Sequence, residues 1–131
     1  MTDDAIRVEL VAADRLVWSG DATRVIARTT EGDVGILPHH APLLSLMVDG
    51  VVDIQTTDGE TWIAAVDAGF LSVAHNRVSV LSEHVEMSHE IDLEQARREL
   101  DRAKESGEND DDAQAEVRRL EARVRAVEQA S

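Results

Sequence analysis

Five histidines and many carboxylates are the residues of this 131-residue sequence that could do chemistry. His84 and His89 lie five positions apart, with Glu83 and Glu86 close by. Residues five apart point to opposite faces of a strand and diverge on a helix, so these two side chains should not converge on one ion. The sequence contains no cysteine, which excludes a thiolate site and a disulfide framework. The spacing therefore predicts surface histidines and no metal centre.

Nucleophilic and phosphate-binding patterns are also missing from the sequence. No serine lies in a nucleophile elbow, and no glycine-rich phosphate loop precedes a helix. His39 and His40 are adjacent, and neighbouring residues of an extended segment point apart. We expect no catalytic residue, but a small hydrolase or isomerase with His39 or His40 as general base stays open as an alternative. That alternative requires a concave pocket beside the two histidines.

Composition limits the class of protein and its partners. Hydrophobic residues make up 43% and charged residues 31%, which is typical of a globular chain. The formal net charge of −14 predicts repulsion from nucleic acid and from anionic lipid. No apolar run reaches the ~20 residues that a membrane helix needs, and no basic, apolar leader is visible. We expect a cytoplasmic protein that does not insert directly into a membrane.

Short alternating segments dominate the first ninety residues. Residues 5–12 have the two-residue period of a half-buried strand, and residues 23–29 are rich in the β-branched residues that favour strands. The candidate turns are Ser19-Gly20-Asp21, Asp58-Gly59 and His75-Asn76. This pattern predicts an antiparallel β-sandwich or barrel of about ten short strands over residues 1–90.

The segment 61–66 is apolar on both faces rather than one. Trp62, Ala64 and Val66 alternate with Ile63 and Ala65. Such a strand is either central with both faces internal, or it carries an outward patch for another surface.

The sequence changes character at residue 91. Asp92, followed three residues later by Gln95, is a variant capping box that predicts a helix start. Apolar residues then recur at helical spacing in two stretches, separated by a break over 105–112. The two apolar seams are Leu93, Ala96, Leu100 and Ala103, and Ala113, Val117, Leu120, Val124 and Val127. Because neither helix would be stable alone, we predict an antiparallel αα-hairpin over residues 91–131.

The stretch Gly32–Leu44, with the sequence GDVGILPHHAPLL, interrupts the strand pattern. Pro38 and Pro42 fix their own φ and push the preceding residues towards extended backbone. We predict a stiff loop without a regular hydrogen-bond ladder. Its apolar residues suit either a corner of the core or a surface shaped for a partner; they are Val34, Ile36, Leu37, Leu43 and Leu44.

This stretch resembles the signature loop of the epsilon subunits of bacterial F-type ATP synthases. The family pattern runs glycine, acidic, aliphatic, glycine, aliphatic, any, proline, any, histidine, any, proline, leucine, and every position is matched here. The order of a β body followed by a helical hairpin is also similar to that family over the whole chain. The resemblance implies a non-catalytic rotor subunit on the cytoplasmic face of the bacterial membrane. Such a subunit couples gamma to the c-ring during proton-driven ATP synthesis.

The resemblance also implies roles for individual residues. Asp33 and His40 would be polar contacts to the c-ring, with Glu31 beside them, and Pro38 and Pro42 would hold the shape of the loop. The sandwich of this family also packs against gamma, for which an outward patch on 61–66 is one candidate.

The hairpin of bacterial members can extend beside gamma and inhibit ATP hydrolysis. Arg119 and Arg123 lie away from the predicted apolar seam and are candidates for an acidic segment of the alpha and beta subunits. Ordinary surface pairing with Glu116, Glu121 and Glu128 is the alternative.

Some family members bind ATP through an aliphatic-Asp-x-x-Arg-Ala motif. Ile91, Asp92 and Ala96 match this motif, but Gln95 replaces the arginine and lacks its charge and donor fork. We therefore expect no cofactor. A free-standing β-sandwich binding module with a helical dimerisation hairpin is the remaining alternative.

Overall fold

The computed structural model describes residues 4–106 and 110–130. Over these residues the chain forms nine strands, a short 3-10 turn at Ser88–Glu90 and two helices. The strands are β1 (Ile6–Val11), β2 (Leu16–Thr29), β3 (Gly32–Ile36), β4 (Leu43–Met47), β5 (Gly50–Thr56), β6 (Thr61–Val66), β7 (Gly69–Ala74), β8 (Arg77–Ser82) and β9 (Val85–Met87). The helices are α1 (Leu93–Glu105) and α2 (Asp111–Ala130). The predicted fold class, a mostly β protein with an antiparallel β-sandwich followed by a two-helix hairpin, is confirmed, with nine strands in the described residues rather than about ten and with one parallel strand pair.

The long strand β2 organises the sheet. Its first part pairs with β1, and its second part pairs with β3 and β5 and touches β4 at one residue pair. The hydrogen-bonded order is β1-β8-β7-β4-β2-β5-β6-β9, and β3 pairs with β2 outside this order. Since β1 pairs with both β8 and β2, the sheet curls back on itself into two layers. Only the β1–β8 pairing is parallel among the described pairs.

Aliphatic side chains fill the space between the layers. Among the largest fully buried ones are Ile6, Leu10, Ile36, Ile54 and Leu71. Burial of each such side chain contributes about 1.5–3 kcal/mol relative to exposure, before the loss of chain entropy. The alternation in β1, β5 and β8 matches this one-sided burial, as expected from the sequence.

The predicted turn at Ser19-Gly20-Asp21 is wrong, because β2 continues through it. Gly20 lies opposite Val8 of β1 in extended backbone. A side chain there would meet the ring of Trp18, since an added Cβ would lie 2.8 Å from a ring carbon. The glycine therefore makes room for an aromatic ring against the strand rather than reversing the chain.

The other two predicted turns are confirmed. Gly59 has a φ of 83° between β5 and β6, a backbone conformation that suits glycine. His75 and Asn76 have φ values of 53° and 59° between β7 and β8. Two consecutive positive φ values match the right-handed twist of the strands that the turn joins.

The helices form an antiparallel pair that also lies on the sandwich. Arg97 near the start of α1 pairs with Glu128 near the end of α2 at 3.1 Å. The side chain of Asp92 accepts a hydrogen bond from the Gln95 N–H at 3.1 Å, so the predicted helix start is confirmed. The break predicted over 105–112 is wider than the one observed, because α1 includes Glu105 and α2 begins at Asp111; residues 107–109 lie outside the described residues. No helix in the described part of the chain is long and apolar enough to cross a membrane.

A second apolar cluster joins α2 to the outer face of β6. Ile63 and Ala65 pack there with Ile91, Ala96 and Ala126, all of them buried. The strand that looked apolar on both faces is therefore covered on its outer side by the chain's own helix. The seam predicted for α2 is incomplete, because the helix buries Leu120 together with Ala122 and Ala126. A helix that packs against both another helix and a sheet needs a wider apolar face than a helix that packs against one other helix only.

Candidate functional site

The signature stretch contains less loop than the sequence predicted. Gly32–Ile36 forms β3, which pairs with Val25–Thr29 of β2, and Leu43 begins β4. Only residues 37–42, here called the tip loop, lack strand structure. We expected no regular hydrogen-bond ladder in this stretch, and that expectation is wrong for Gly32–Ile36. The glycines of β3 are compatible with an extended strand, and Gly32 supplies the positive φ of 107° at the β2–β3 turn.

The apolar residues of this stretch divide between core and surface. Ile36 is fully buried, and Val34 and Leu43 pack partly against the core. Leu37 and Leu44 are exposed by 57% and 74%. The stretch is therefore partly a corner of the core and partly an exposed surface, so each alternative from the sequence holds for some of its residues.

Backbone geometry gives the tip loop a defined shape. His39 has a φ of 65°, which few residues other than glycine adopt. The His40 N–H donates to the Leu37 carbonyl at 3.1 Å and closes a turn. The His40 Nδ1 lies 2.6 Å from the Ala41 carbonyl, so one ring nitrogen is already engaged with the loop. Pro38 is half-buried, whereas Pro42 is exposed.

The five predicted partner residues do not form one cluster. They are spread along the edge strand β3 and the tip loop that follows it. Glu31 and Asp33 are exposed at the start of β3, whereas Pro38, His40 and Pro42 follow its end. The four residue steps of β3 separate the two groups by about 13 Å. Among the described strands, β3 pairs with β2 alone. The predicted residues therefore form an extended rim.

The rim is polar at its β2–β3 end. The Thr29 hydroxyl donates to the Gly32 carbonyl at 2.8 Å and accepts from the Glu31 N–H at 3.1 Å, which fixes the turn. Arg28 lies 3.7 Å from Asp33, and both side chains are at least half exposed. An exposed pair of this kind contributes little to stability, so the charges of the rim remain available to a partner.

An uncovered apolar row crosses the outer face of β4, β7 and β8, and sequence reasoning missed it. Leu46 lies opposite Phe70, and Phe70 lies opposite Leu81. These three side chains are exposed by 54%, 51% and 49%, and Leu44 lies beside them on β4. Directly opposed residues on one sheet face stand close enough for their side chains to touch. The available sequence signal was that residues 43–47 carry apolar side chains on both faces of one strand, with Leu43 and Met47 on one face and Leu44 and Leu46 on the other.

The two arginines assigned to an outer face of the second helix have different surroundings. The Arg123 Nε lies 3.0 Å from the Glu86 Oε1 of β9, and Nη1 lies 3.6 Å from the Glu99 Oε2 of α1, so this side chain faces the body. Arg119 pairs with Glu116 one turn earlier on α2, which is one of the surface pairs that the sequence offered as the alternative. The position of Arg123 depends on the sheet, which covers a side of α2 that a simple two-helix seam leaves open.

A polar cleft of about 220 Å³ lies between α2 and the β6–β9 corner. The His84 Nδ1 meets the Asp67 Oδ2 there at 2.7 Å, with Arg119 and Arg123 on the helix side. Burial raises the pKa of Asp67 above its usual value, against the lowering effect of the His84 contact. The cleft is smaller than the roughly 300 Å³ at which small-molecule pockets usually begin.

The residues that match the ATP motif have structural roles in this conformation. Ile91 and Ala96 are buried in the cluster under α2, and Asp92 caps α1. The Gln95 side-chain amide donates to the Glu99 Oε1 at 2.9 Å, one turn along the same helix.

Comparison with known proteins gives consistent results. Residues 5–88 match the family model described as the ATP synthase delta/epsilon chain, beta-sandwich domain. A chain named ATP synthase epsilon chain from Streptomyces avermitilis is 56% identical over 122 residues, which is 93% of this chain and 94% of that one. The protein of the same name from Corynebacterium efficiens is 44% identical over 127 residues, covering 96% and 95% of the two chains.

Solved structures show the same fold at low identity. A chain of the Euglena gracilis mitochondrial ATP synthase matches with a TM-score of 0.78 and 20% identity, covering 99% of this chain and 82% of that chain. A chain of the Tetrahymena thermophila mitochondrial ATP synthase central stalk and c-ring matches with a TM-score of 0.60 and 16% identity, covering 95% and 94%. The matched signature stretch, the β-sandwich and the two helices thus agree with the comparisons, and the chain belongs to the ATP synthase delta/epsilon chain family.

Proposed function

We propose that this chain is a non-catalytic central-stalk subunit of an ATP synthase. It would join the gamma subunit to the c-ring on the cytoplasmic face of the bacterial membrane, as a peripheral component. The observation that carries the proposal is the presence of two different uncovered surfaces on one rigid β body. These surfaces are the polar, proline-containing rim and the apolar row on β4, β7 and β8. A part that transmits rotation between two partners needs two such surfaces.

The apolar row is the surface proposed for gamma. Phe70 and its leucine neighbours are at least about half exposed, although most other large aliphatic residues of the sandwich are buried. A central aromatic side chain with aliphatic neighbours is a common energetic centre of a protein interface. The outward face of β6, which the sequence offered as another candidate, is covered by α2 in this conformation. We therefore assign gamma to the opposite candidate face.

The rim is the surface proposed for the c-ring. Asp33 and His40 would supply polar contacts, with Glu31 beside them, while Pro38 and Pro42 restrict the backbone. A loop that is already ordered loses little conformational entropy on docking, so more of the contact energy appears as affinity. Such a loop also suits a joint that must carry torque.

The helices are proposed as a regulatory unit over residues 91–131, attached to a coupling unit over residues 1–90. Their contact with the sandwich consists of aliphatic residues on β6 and a few partly exposed ion pairs around them. The net free energy of such a contact is a few kcal/mol after entropy losses, so a competing surface could displace it. Once displaced, Arg119 and Arg123 would lose their present neighbours and could meet acidic segments of alpha or beta. ATP is not proposed as the cue, because Gln95 replaces the arginine of the nucleotide motif.

Pro42→Gly tests the coupling role. The substitution adds backbone freedom at an exposed loop position, which weakens docking by roughly two- to fivefold. We expect the isolated protein to stay folded, while proton pumping per ATP hydrolysed falls in the assembled complex. Unchanged coupling would contradict the role of the rim.

Purification tests the broader assignment. The native protein should co-purify with a membrane-bound complex that contains gamma and the c-ring. Recovery only as a free monomer or homodimer would favour a free-standing binding module instead.

A further inference from the structure

The side chain of Asn76 connects three segments that are distant in the sequence. Its Oδ1 accepts a hydrogen bond from the His39 N–H at 2.8 Å, and its Nδ2 donates to the Ala5 carbonyl at 2.8 Å. His39 lies in the tip loop, Asn76 lies in the β7–β8 turn, and Ala5 directly precedes β1. One amide group thus joins the tip loop to the β7–β8 turn and that turn to the segment before β1.

The prolines do not explain the conformation of the loop at this position. Pro38 and Pro42 fix their own φ and restrict the residues before them, Leu37 and Ala41. His39 is covered by neither restriction, yet it has a φ of 65°. A left-handed conformation at a residue other than glycine costs about 1–3 kcal/mol and persists only where the surroundings determine it. The hydrogen bond from the His39 N–H to Asn76 is such a determinant.

The backbone of Asn76 suits this task. Its φ of 59° lies in the left-handed region, which asparagine tolerates better than most residues. The turn therefore accepts the residue without unusual strain, and the short side chain can reach the loop and the N-terminal segment. In the sequence, Asn76 signalled only a turn.

We propose that Asn76 is a positioning residue that holds the tip loop in the shape presented to the c-ring. The amide acts through His39, since it fixes the backbone of that residue and makes no contact with a partner itself. The inference rests on the proposed function, because it assumes that the tip loop meets the ring.

Asn76→Gly in the full chain tests the contact itself. Glycine keeps the positive φ of the turn and removes both side-chain hydrogen bonds. We expect the His39 amide to exchange its hydrogen roughly five- to tenfold faster, as the loss of one hydrogen bond predicts. His75→Gly is the matched control, because it changes the neighbouring position of the same turn and leaves the amide of Asn76 in place. Asn76→Asp keeps an acceptor for His39 and should restore most of its protection.

Two exchange results would overturn the proposal. One is an unchanged His39 amide in Asn76→Gly, and the other is an equal acceleration in His75→Gly. Failure of Asn76→Asp to restore protection would also contradict it, since a general loosening of the turn would then explain the effect.

The assembled ATP synthase tests the consequence for function. We expect Asn76→Gly to lower proton pumping per ATP hydrolysed at unchanged occupancy of the subunit, and Asn76→Asp to recover it. If Pro42→Gly lowers coupling but Asn76→Gly does not, only the role of Asn76 is refuted. If both leave coupling unchanged, the proposed contact between rim and ring is refuted as well.

Discussion

The sandwich has two outward apolar faces, of which one is covered by a helix and the other is exposed. The face on β6 carries Ile63 and Ala65 and is covered by α2. The face on β4, β7 and β8 carries Leu46, Phe70 and Leu81, which are about half exposed and are covered by nothing in the described chain. Exposed neighbouring leucine and phenylalanine side chains on a soluble domain commonly mark an interface. This difference is what we expect if, as proposed, the β6 face holds regulatory helices and the other face binds a permanent partner.

The border of the helix-covered face is polar. Arg118 approaches Asp49 at 3.7 Å, and the Gln129 side-chain amide donates to Asp53 at 3.2 Å, so polar contacts border the helix-covered face. These contacts are partly exposed and weak individually. The covered face is therefore suited to reversible docking.

The largest expected effect follows from placing a charge under α2. Ala126 is fully buried against β6, so Ala126→Asp would bury an unpaired carboxylate at a cost of several kcal/mol. Because this cost matches or exceeds the docking free energy, we expect α2 to leave the sheet while the β-sandwich remains folded. Hydrogen exchange should show fast amides in α2 and protected amides in β2 and β5.

Ala130→Asp is the matched control, since it makes the same change at an exposed position of the same helix. Its cost should stay below about 1 kcal/mol. Equal protection of α2 in both variants would show that the helix is not held by the β6 face.

The next effect concerns the uncovered face. Phe70→Ser should weaken binding of isolated gamma by about 30-fold or more, the size expected for a central aromatic contact. The free energy of unfolding should fall by only about 1 kcal/mol, because the ring is half exposed and loses two cross-strand contacts. Calorimetric titration and denaturant unfolding measure the two quantities.

Leu37→Ser provides the comparison for Phe70. Leu37 is similarly exposed, but it lies in the tip loop, before the start of β4. The residue opposite Phe70 is Leu46, near the end of β4. Its substitution should leave gamma binding unchanged. Similar losses in the two variants would remove the distinction between the apolar row and the rim.

A smaller effect is expected at the border of the covered face. Arg123→Gln removes a charge that contacts both Glu86 and Glu99 and leaves two carboxylates without it. Since the side chain of Arg123 is 30% exposed, the loss of docking free energy should be only about 1 kcal/mol. Exchange of α2 amides should accelerate at low salt and less so at high salt. Arg125→Gln, at an exposed position on the same helix, should have no comparable effect.

The smallest effect concerns pH. Burial raises the pKa of Asp67 above 3.8, so the folded chain binds this proton more tightly than the unfolded chain. The resulting contribution to stability is present below pH 3.8 and is lost as pH rises through the folded pKa. Asp67→Asn should therefore flatten the pH dependence of unfolding over that window. An unchanged profile in urea titrations at several pH values would contradict this assignment.

The sequence predicted local features well where one residue type imposes one conformation. Gly59 marked a tight turn, Asp92 marked the start of α1, and the alternation of β1 predicted its buried face. The turn prediction failed at Gly20, because this glycine accommodates the Trp18 ring inside β2. A glycine that permits a turn and a glycine that permits close packing have the same local signature.

The sequence likewise predicted some features of the candidate site and not others. The signature pattern indicated the family and the rim, but it did not show that β3 separates Glu31 and Asp33 from the tip loop. The apolar row depends on the register of β4, β7 and β8, which no single strand contains. The inward direction of Arg123 depends on where α2 lies on the sheet.

By itself the sequence determined the fold class, the aliphatic core, the helix start and the family pattern, because these depend on period and on the conformational limits of single residues. Only the tertiary structure decided which apolar face is covered, which arginines meet the body and which amide holds the tip loop. Those features arise from contacts between residues far apart in the chain. Such contacts are fixed by strand register and by the packing of one layer on another, which the local pattern leaves undetermined.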